Sequence, residues 1–321
     1  MTPPLRFRCE SEHFIRSSRR DHPHLAEQLD RLRTVIRRVG GHTRPHDAQS
    51  WRSGTPWGPL GGGPPARMAR VDDHRRLSFG EDAEQYDRAR PSYPAAAVDA
   101  AIDSAHIRRV LDVGCGTGIA SQLFLDRGCE VVGVEPDERM AALAHRRGVK
   151  VVVAPFETWT APIDPFDLVV SAQAWHWVDQ NIGPTAAADT MRPGGRLALF
   201  SNGYEEVSLR DELDAVYRHD APQIVATTFV LGRHAPTLRS AHAGPIEACG
   251  RFDPVEERSF QWERTYTRDE WLDHLPTHSD HRTLRPEVLN TLLRHIGAVI
   301  DASGGTLTIG HTTELLFAAR R

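Results

Sequence analysis

Residues 110–118 read V-L-D-V-G-C-G-T-G: an apolar run enters a glycine-rich turn, and the following I-A-S-Q-L-F-L-D-R-G has the apolar spacing of an amphipathic helix. Gly114 and Gly116 let the backbone turn tightly and come close to a ligand, where a Cβ would collide. Gly118 falls at the helix start, and the helix N-terminus offers unpaired N–H groups to an anionic group. The spacing is G-x-G-x-G. A dinucleotide fingerprint needs a small residue at position 119, and this chain has Ile119 there. A second strand, C-E-V-V-G-V-E-P, ends in Glu135, about twenty residues after the first glycine. That is the place of an acid that accepts hydrogen bonds from both hydroxyls of an unphosphorylated ribose. The chemistry implied is the binding of a nucleoside whose other half need not be a pyrophosphate.

The elements that must position these residues are regular from Leu77 onward. F-G-E-D-A-E-Q-Y-D-R-A-R-P-S-Y-P and A-A-A-V-D-A-A-I-D-S-A read as helices. R-R-V-L-D-V-G, C-E-V-V-G-V-E-P, V-K-V-V-V-A-P, F-D-L-V-V-S-A-Q and R-L-A-L-F-S-N read as five strands with helices between them. D-E-R-M-A-A-L-A-H-R-R-G opens on an acid and closes on basic residues and Gly148, as a helix should. The helix N-I-G-P-T-A-A-A-D-T-M-R-P-G-G is expected to stop at Pro193 to Gly195. V-E-E-R-S-F-Q-W-E-R-T-Y alternates like a strand, and T-L-T-I-G-H-T-T-E-L-L-F-A-A-R-R is a last strand, bent near His311. The fold expected is α/β: a doubly wound, mostly parallel, seven-stranded sheet with right-handed crossovers. Its core spans 107–202. An insertion at 203–254 falls at the sheet's carboxyl edge, where substrate covers are found.

The first 72 residues differ. They are rich in Arg, Pro, Gly and His, hold one apolar-periodic stretch at 25–39, and end in Gly-Gly-Gly-Pro-Pro at 61–65. They read as a disordered basic extension with one short helix, ahead of a domain at 73–321. Of the 321 residues, 40% are hydrophobic and 26% charged, enough to bury a core, and the net charge of -4 singles out no partner. Cys9, Cys115, Cys129 and Cys249 have no paired spacing, which suggests a reducing compartment. No apolar run approaches membrane length and no signal-like start is present, so the reading is a cytoplasmic protein without membrane partners.

Four motifs in order, VLDVGCGTG, VVGVEPD, FDLVVSAQAWHWVD and MRPGGRLAL, resemble the class I S-adenosylmethionine-dependent methyltransferases, with a Rossmann-like fold. The lead-in F-x-x-x-A-x-x-Y-x-x-x-R-P-x-Y-P resembles a subgroup that includes trans-aconitate methyltransferases. The resemblance implies S-adenosyl-L-methionine as cofactor. Gly114, Cys115 and Gly116 would hold its methionine part, Asp112 would orient the turn and the amino group, and Glu135 with Pro136 would hold the ribose. Phe156 would pack on the adenine with Glu157 nearby. Tyr86 and Arg90, four apart on one helix face, would lie over the cofactor, with Arg90 pairing its carboxylate. Ser171 and Gln173 could hydrogen-bond the cofactor or the substrate. Trp175 and Trp177 could shield the sulfonium, and His176 could accept a proton. Neighbours at i and i+2 on a helix point to different faces, so these rings cannot all line one pocket. Ser279 and His281, in T-H-S-D-H, face the acceptor in that subgroup. His274, His278 and His281 have a spacing that could ligate a metal, but no cysteine or carboxylate set accompanies them, and no metal is expected.

The implied activity is methyl transfer to a small molecule bearing a carboxylate or a hydroxyl. Alternatives are a noncatalytic binding protein for the same cofactor, a nucleic-acid methyltransferase using the basic arm, and an NAD oxidoreductase. Ile119 counts against the last. SAQAW in place of N-P-P-Y or D-P-P-Y disfavours methylation of base amino groups, and no nucleic-acid partner is expected.

Overall fold

The computed structural model describes residues 79–102, 107–228, 230–232 and 237–321. The extension at 1–72 and its helix at 25–39 lie outside the described residues. Apart from Ala302–Gly304, the described residues belong to one compact unit. A 3₁₀ turn at Phe79–Asp82 leads into α1 (Ala83–Ala89). The Asp82 carboxylate accepts from the Gln85 N–H and caps this helix. Arg90 is extended at the other end, as the residue before Pro91 must be. Then come α2 (Ala95–Ile102), β1 (Arg109–Val113), α3 (Ile119–Leu125), β2 (Glu130–Glu135), α4 (Glu138–Arg146), β3 (Lys150–Val153) and β4 (Phe166–Ala172). The second half holds α5 (Gly183–Thr190), β5 (Met191–Val207), α6 (Arg210–Asp220), α7 (Leu238–Ala248), β6 (Glu256–Thr267), α8 (Arg268–His274), α9 (Pro286–Ala302) and β7 (Thr306–Ala319).

The seven strands form one sheet in the order β3-β2-β1-β4-β5-β7-β6. The first five are parallel, and β7 runs antiparallel to both its neighbours. The expected mostly parallel, doubly wound sheet is thereby found. Strand order reverses between β1 and β4, the place where open α/β sheets bind ligands beyond their carboxyl ends. Successive residues of a strand face opposite sides of the sheet. Leu111, Val169, Leu197 and Leu316 pack on one side with Ala187, Ala188 and Ile246 of α5 and α7. Val110, Leu168, Val170, Ala198 and Leu315 pack on the other with Ala97, Val98 and Phe124 of α2 and α3. Burial on both faces explains why the central strands read as continuous apolar runs.

Two boundaries differ from expectation. The helix before β5 stops at Thr190, and Met191 already pairs with Phe166, with residues 192–195 bulged out before the ladder resumes at Arg196. Arg192 precedes Pro193, and α-conformation is disfavoured there. β5 also continues past Asn202 to Val207, because β7 supplies antiparallel partners along that whole length. The irregularity expected in β7 near His311 lies instead in β5. Tyr204 pairs His311 and Val207 pairs Ile309, so the extra residue is on the β5 side, while β6 and β7 pair without a shift.

α1 is held from two directions. Arg146 pairs with Glu84 and Arg147 with Asp87 from α4, while Asp273 of α8 takes Arg88 at 2.7 Å and Gln85 Nε2 at 3.0 Å. No helix among the described residues is long and apolar enough to cross a membrane.

α8 begins with a capping box: the Thr267 hydroxyl accepts from the Glu270 N–H, and the Glu270 carboxylate accepts from the Thr267 N–H at 2.8 Å. Thr267→Ala should cost about 1 kcal/mol in urea unfolding. An unchanged midpoint would show that the tertiary contacts of Trp271 and His274 alone hold this helix.

Candidate functional site

The chain leaves β1 through a turn held by β2. Gly114 N–H donates to the Val134 carbonyl at 2.8 Å and Gly116 N–H to Glu135 Oε2 at 2.9 Å. Glu135 Oε1 accepts from Asp137 N–H at 3.0 Å. Gly114 and Gly116 have φ of +68° and +56°, in the left-handed region. A Cβ on Gly114 would also stand 2.5 Å from the Ala174 Cβ, whereas one on Gly116 would meet only Met140 Cε at 3.5 Å. The turn therefore needs glycine twice for conformation, and at Gly114 for close approach to the β4 loop as well. Cys115 turns its thiol inward, over Gly133, and burial pushes its pKa well up. Its backbone, and not its sulfur, is what the turn presents.

Two connected spaces open here. The larger is a cavity of about 1090 Å³ lined by Gly114, Gly116, Glu135, Pro136, Phe156, Glu157 and Gln173, with Tyr86 and Arg90 across from them. That is room for a nucleoside and a second small molecule. The smaller is bordered by Asp112, Gly114, Gly116, Arg90, Tyr93 and Tyr204. Asp112 is fully buried; its Oδ2 accepts from the Ser121 hydroxyl at 2.6 Å, and its Oδ1 is sealed from solvent without a partner. A buried acceptor left unsatisfied costs a few kcal/mol and marks where a ligand's donor belongs. A cationic amino group at this point fits it. Glu135 lines the larger cavity, and a carboxylate is an acceptor of the kind a ribose diol requires. The site thus fits the cofactor that the resemblance implies. Arg90 donates to the Thr277 carbonyl at 2.8 Å and lies 5.2 Å from the Tyr86 ring centre. Its Nε is buried without a partner.

The segment after β4 divides sharply. Ser171 donates to the Val113 carbonyl at 2.8 Å and is buried, so it ties β4 to β1 and does not line the cavity. Gln173 does line it, with φ +56° and its amide held by Asn202 O and Ser201 Oγ. Residues Trp175–Trp177 form a 3₁₀ turn. Trp175 points inward, 2% exposed, with its ring 6.2 Å from Phe156, and packs in the core without lining the cavity. His176 and Trp177 face the cavity. Phe156 lines the cavity from the core, and Glu157 accepts from Asp179 N–H at 2.9 Å, joining the loops after β3 and β4.

The residues expected to face the acceptor divide as well. His281 is fully buried: Nδ1 meets Asp280 at 2.7 Å and Nε2 meets the Tyr217 hydroxyl at 2.7 Å. It braces the loop, while Ser279 and His278 reach the cavity. Tyr204 was not anticipated. Its hydroxyl lies 2.7 Å from His274 Nε2 and 3.1 Å from His278 Nε2. The i, i+4 histidines were visible in sequence, but their partner sits seventy residues away on the extended end of β5. The stretch between β5 and β6 contributes Gln223, Ile224, Thr237 and Leu238 to the wall. Among the described residues no three His, Cys, Asp or Glu side chains are placed to hold a metal ion.

Comparison with known proteins agrees with this geometry. Residues 110–195 match a family model described as a methyltransferase domain. An uncharacterised methyltransferase of Mycobacterium tuberculosis (strain H37Rv) is 40% identical over 132 residues, 40% of this chain and 54% of that one. A trans-aconitate 2-methyltransferase of Acidovorax sp. is 32% identical over 111 residues, 33% of this chain and 43% of that one. The chain spans about half the length of the curated relatives it matches. A proposed type II methyltransferase from Anaeromyxobacter dehalogenans superposes with TM-score 0.52 at 28% identity, over 72% of this chain and 97% of that one. The likeness carried by the four motifs is borne out.

Burial raises the Asp112 pKa from 3.8 to about 6. Between those values the native state holds more protons than the unfolded chain, so this group lowers stability as pH rises through about 4 to 6, by up to about 3 kcal/mol. Asp112→Asn keeps an acceptor for Ser121 and removes the titration. We expect the variant to be the more stable protein at pH 7 and to lose that advantage at pH 4, while binding S-adenosylhomocysteine more weakly. Parallel pH–stability curves for the two proteins would contradict this. Trp175→Ala should cost about 3–5 kcal/mol in unfolding. A small change in stability would instead return Trp175 to the acceptor site.

Proposed function

We propose that this chain, which carries a methyltransferase domain at 110–195, transfers a methyl group from S-adenosyl-L-methionine to a small organic acceptor. The observation that carries the reading is the pairing of two acids at the switch point. Asp112 offers a buried, unpartnered oxygen beside the glycine turn, and Glu135 brings a carboxylate to the cavity wall at the end of β2. An amino-acid head and a ribose on one ligand account for both.

In this reading Asp112 takes the amino group, Arg90 the carboxylate, Glu135 and Pro136 the ribose, and Phe156 and Glu157 the adenine. Gly114, Gly116 and the Cys115 backbone leave room for the chain between them. When bound, the cofactor would supply an electrophilic methyl group on a sulfonium, which the acceptor's lone pair would take. The residues of this chain orient the partners and exclude water, effects worth several kcal/mol of the barrier (up to ~7–11). His176 and Trp177 stand at the acceptor side. Its chemistry is a carboxylate or a hydroxyl. A small, soluble acceptor fits a cytoplasmic enzyme that needs neither membrane nor nucleic acid.

The direct test supplies labelled S-adenosylmethionine and a metabolite extract, and identifies the labelled product by mass. Binding without any labelled product would favour a noncatalytic binding protein. Glu135→Ala should weaken S-adenosylmethionine and S-adenosylhomocysteine by the same factor in calorimetry, since both carry the same ribose. A loss confined to one of them would place Glu135 elsewhere.

A further inference from the structure

Resting on the methyl-transfer reading, we infer that His278 is the base of this site and that the acceptor is an uncharged molecule whose hydroxyl gives its proton to His278 Nδ1. The assignment comes from the direction of a hydrogen-bond chain. The Ala89 carbonyl can only accept, so His274 Nδ1, 3.1 Å away, carries that ring's proton. His274 Nε2 is then an acceptor, and the Tyr204 hydroxyl at 2.7 Å donates to it. The Tyr204 oxygen can accept in turn from His278 Nε2 at 3.1 Å. The second contact of His278 Nε2, to His274 Nε2 at 3.0 Å, also requires His278 to donate. Both contacts put the single proton of a neutral His278 ring on Nε2 and leave a lone pair on Nδ1.

That lone pair faces the right way. His278 lines the large cavity, and its Nδ1 is neither hydrogen-bonded to a described group nor among the sealed, unpartnered atoms. Tyr204, one hydrogen bond away, borders both the large cavity and the small space beside Asp112 and Gly114. The base therefore lies in the large cavity, one hydrogen bond from a residue that borders both spaces. The groups around it are Tyr204 of β5, His274 of α8, Arg90 after α1, and His281 and Asp280 of its own loop. Burial first, then the charge of Arg90 and the neighbouring imidazoles, holds the His278 pKa well below its usual value. The ring is neutral at pH 7.

The cavity's charge argues against an anionic acceptor. Its lining holds the carboxylates of Glu135, Glu157, Glu205, Asp280 and Glu314, and Arg90 is the one Lys or Arg among the described lining residues. With Arg90 engaged by the cofactor carboxylate, no Lys or Arg among the described lining residues is left for an acceptor carboxylate. A hydroxyl acceptor, in contrast, is a weak nucleophile that gains from a base. Its O–H bond breaks with the electron pair kept on oxygen, and the proton moves to Nδ1. The positive charge that began on sulfur ends on the imidazolium.

Two measurements on the full chain decide the matter. Imidazole ¹⁵N shifts at pH 7 should show His278 protonated at Nε2 and bare at Nδ1, and Tyr204→Phe should mix its tautomers. The labelled product from the metabolite extract should be a methyl ether. On the acceptor so identified, His278→Gln should lower kcat at pH 7 by about 10²–10⁴-fold. The deficit should shrink at higher pH as hydroxide and acceptor ionisation replace the base, with S-adenosylhomocysteine affinity unchanged. A ring protonated at Nδ1, a methyl ester or N-methyl product, or a wild-type rate in His278→Gln would overturn the inference while leaving methyl transfer standing. Failure to bind S-adenosylhomocysteine or to label any product would sink methyl transfer itself.

Discussion

The site depends on how tightly the chain turns as it leaves β1. Gly114 and Gly116 sit in left-handed conformations, and their N–H groups end on the Val134 carbonyl and the Glu135 carboxylate. The last turn of one strand is thus built on the last residues of its neighbour. Cys115 fills the space over Gly133, where a Cβ would come within 2.5 Å of its sulfur. The Ala174 methyl closes the other side over Gly114. Three loops from β1, β2 and β4 are locked together by contacts that tolerate no extra atom, and the cavity is what remains between them.

Such a turn places polar groups where they are costly. Asp112 is buried with one oxygen unpaired and its pKa pushed up to about 6. Arg90 keeps a buried Nε without a partner, and Gln173 holds a left-handed backbone. At this edge of the sheet unmet hydrogen bonds and a left-handed backbone stand together, as they do where a ligand completes the structure. The apolar packing on the two faces of β1, β4 and β5 offsets these costs.

The opposite wall of the cavity is built on a different principle. Its wall comes from the extended end of β5, the stretch before α7, and the loop after α8, and its polar groups are paired with one another. Tyr204, His274 and His278 share hydrogen bonds, and Tyr217, His281 and Asp280 form a second set behind them. α1 closes over this wall through Asp273 and Arg90. A buried network of this kind fixes ring orientations and tautomers, because each neutral imidazole has one proton to give.

Local chemistry sufficed for much of this protein. The glycine turn, the acid ending β2, the acid that opens α4 and the alternation of strand and helix are properties of neighbouring residues, so they were legible from spacing alone. The seven strands and their mostly parallel arrangement followed from the same periodicity. Side-chain direction at the ends of strands was not legible. Ser171, Trp175 and His281 carry suitable chemistry at suitable positions, yet each points into the protein, because a 3₁₀ turn or a strand register one residue long decides the facing. Tyr204 became part of the site only because β7 prolongs β5 beyond Asn202, a pairing between segments a hundred residues apart. Sequence determined which elements form and where their turns must be glycine; long-range strand pairing decided which side chains share the cavity, since no local pattern encodes a partner so distant along the chain.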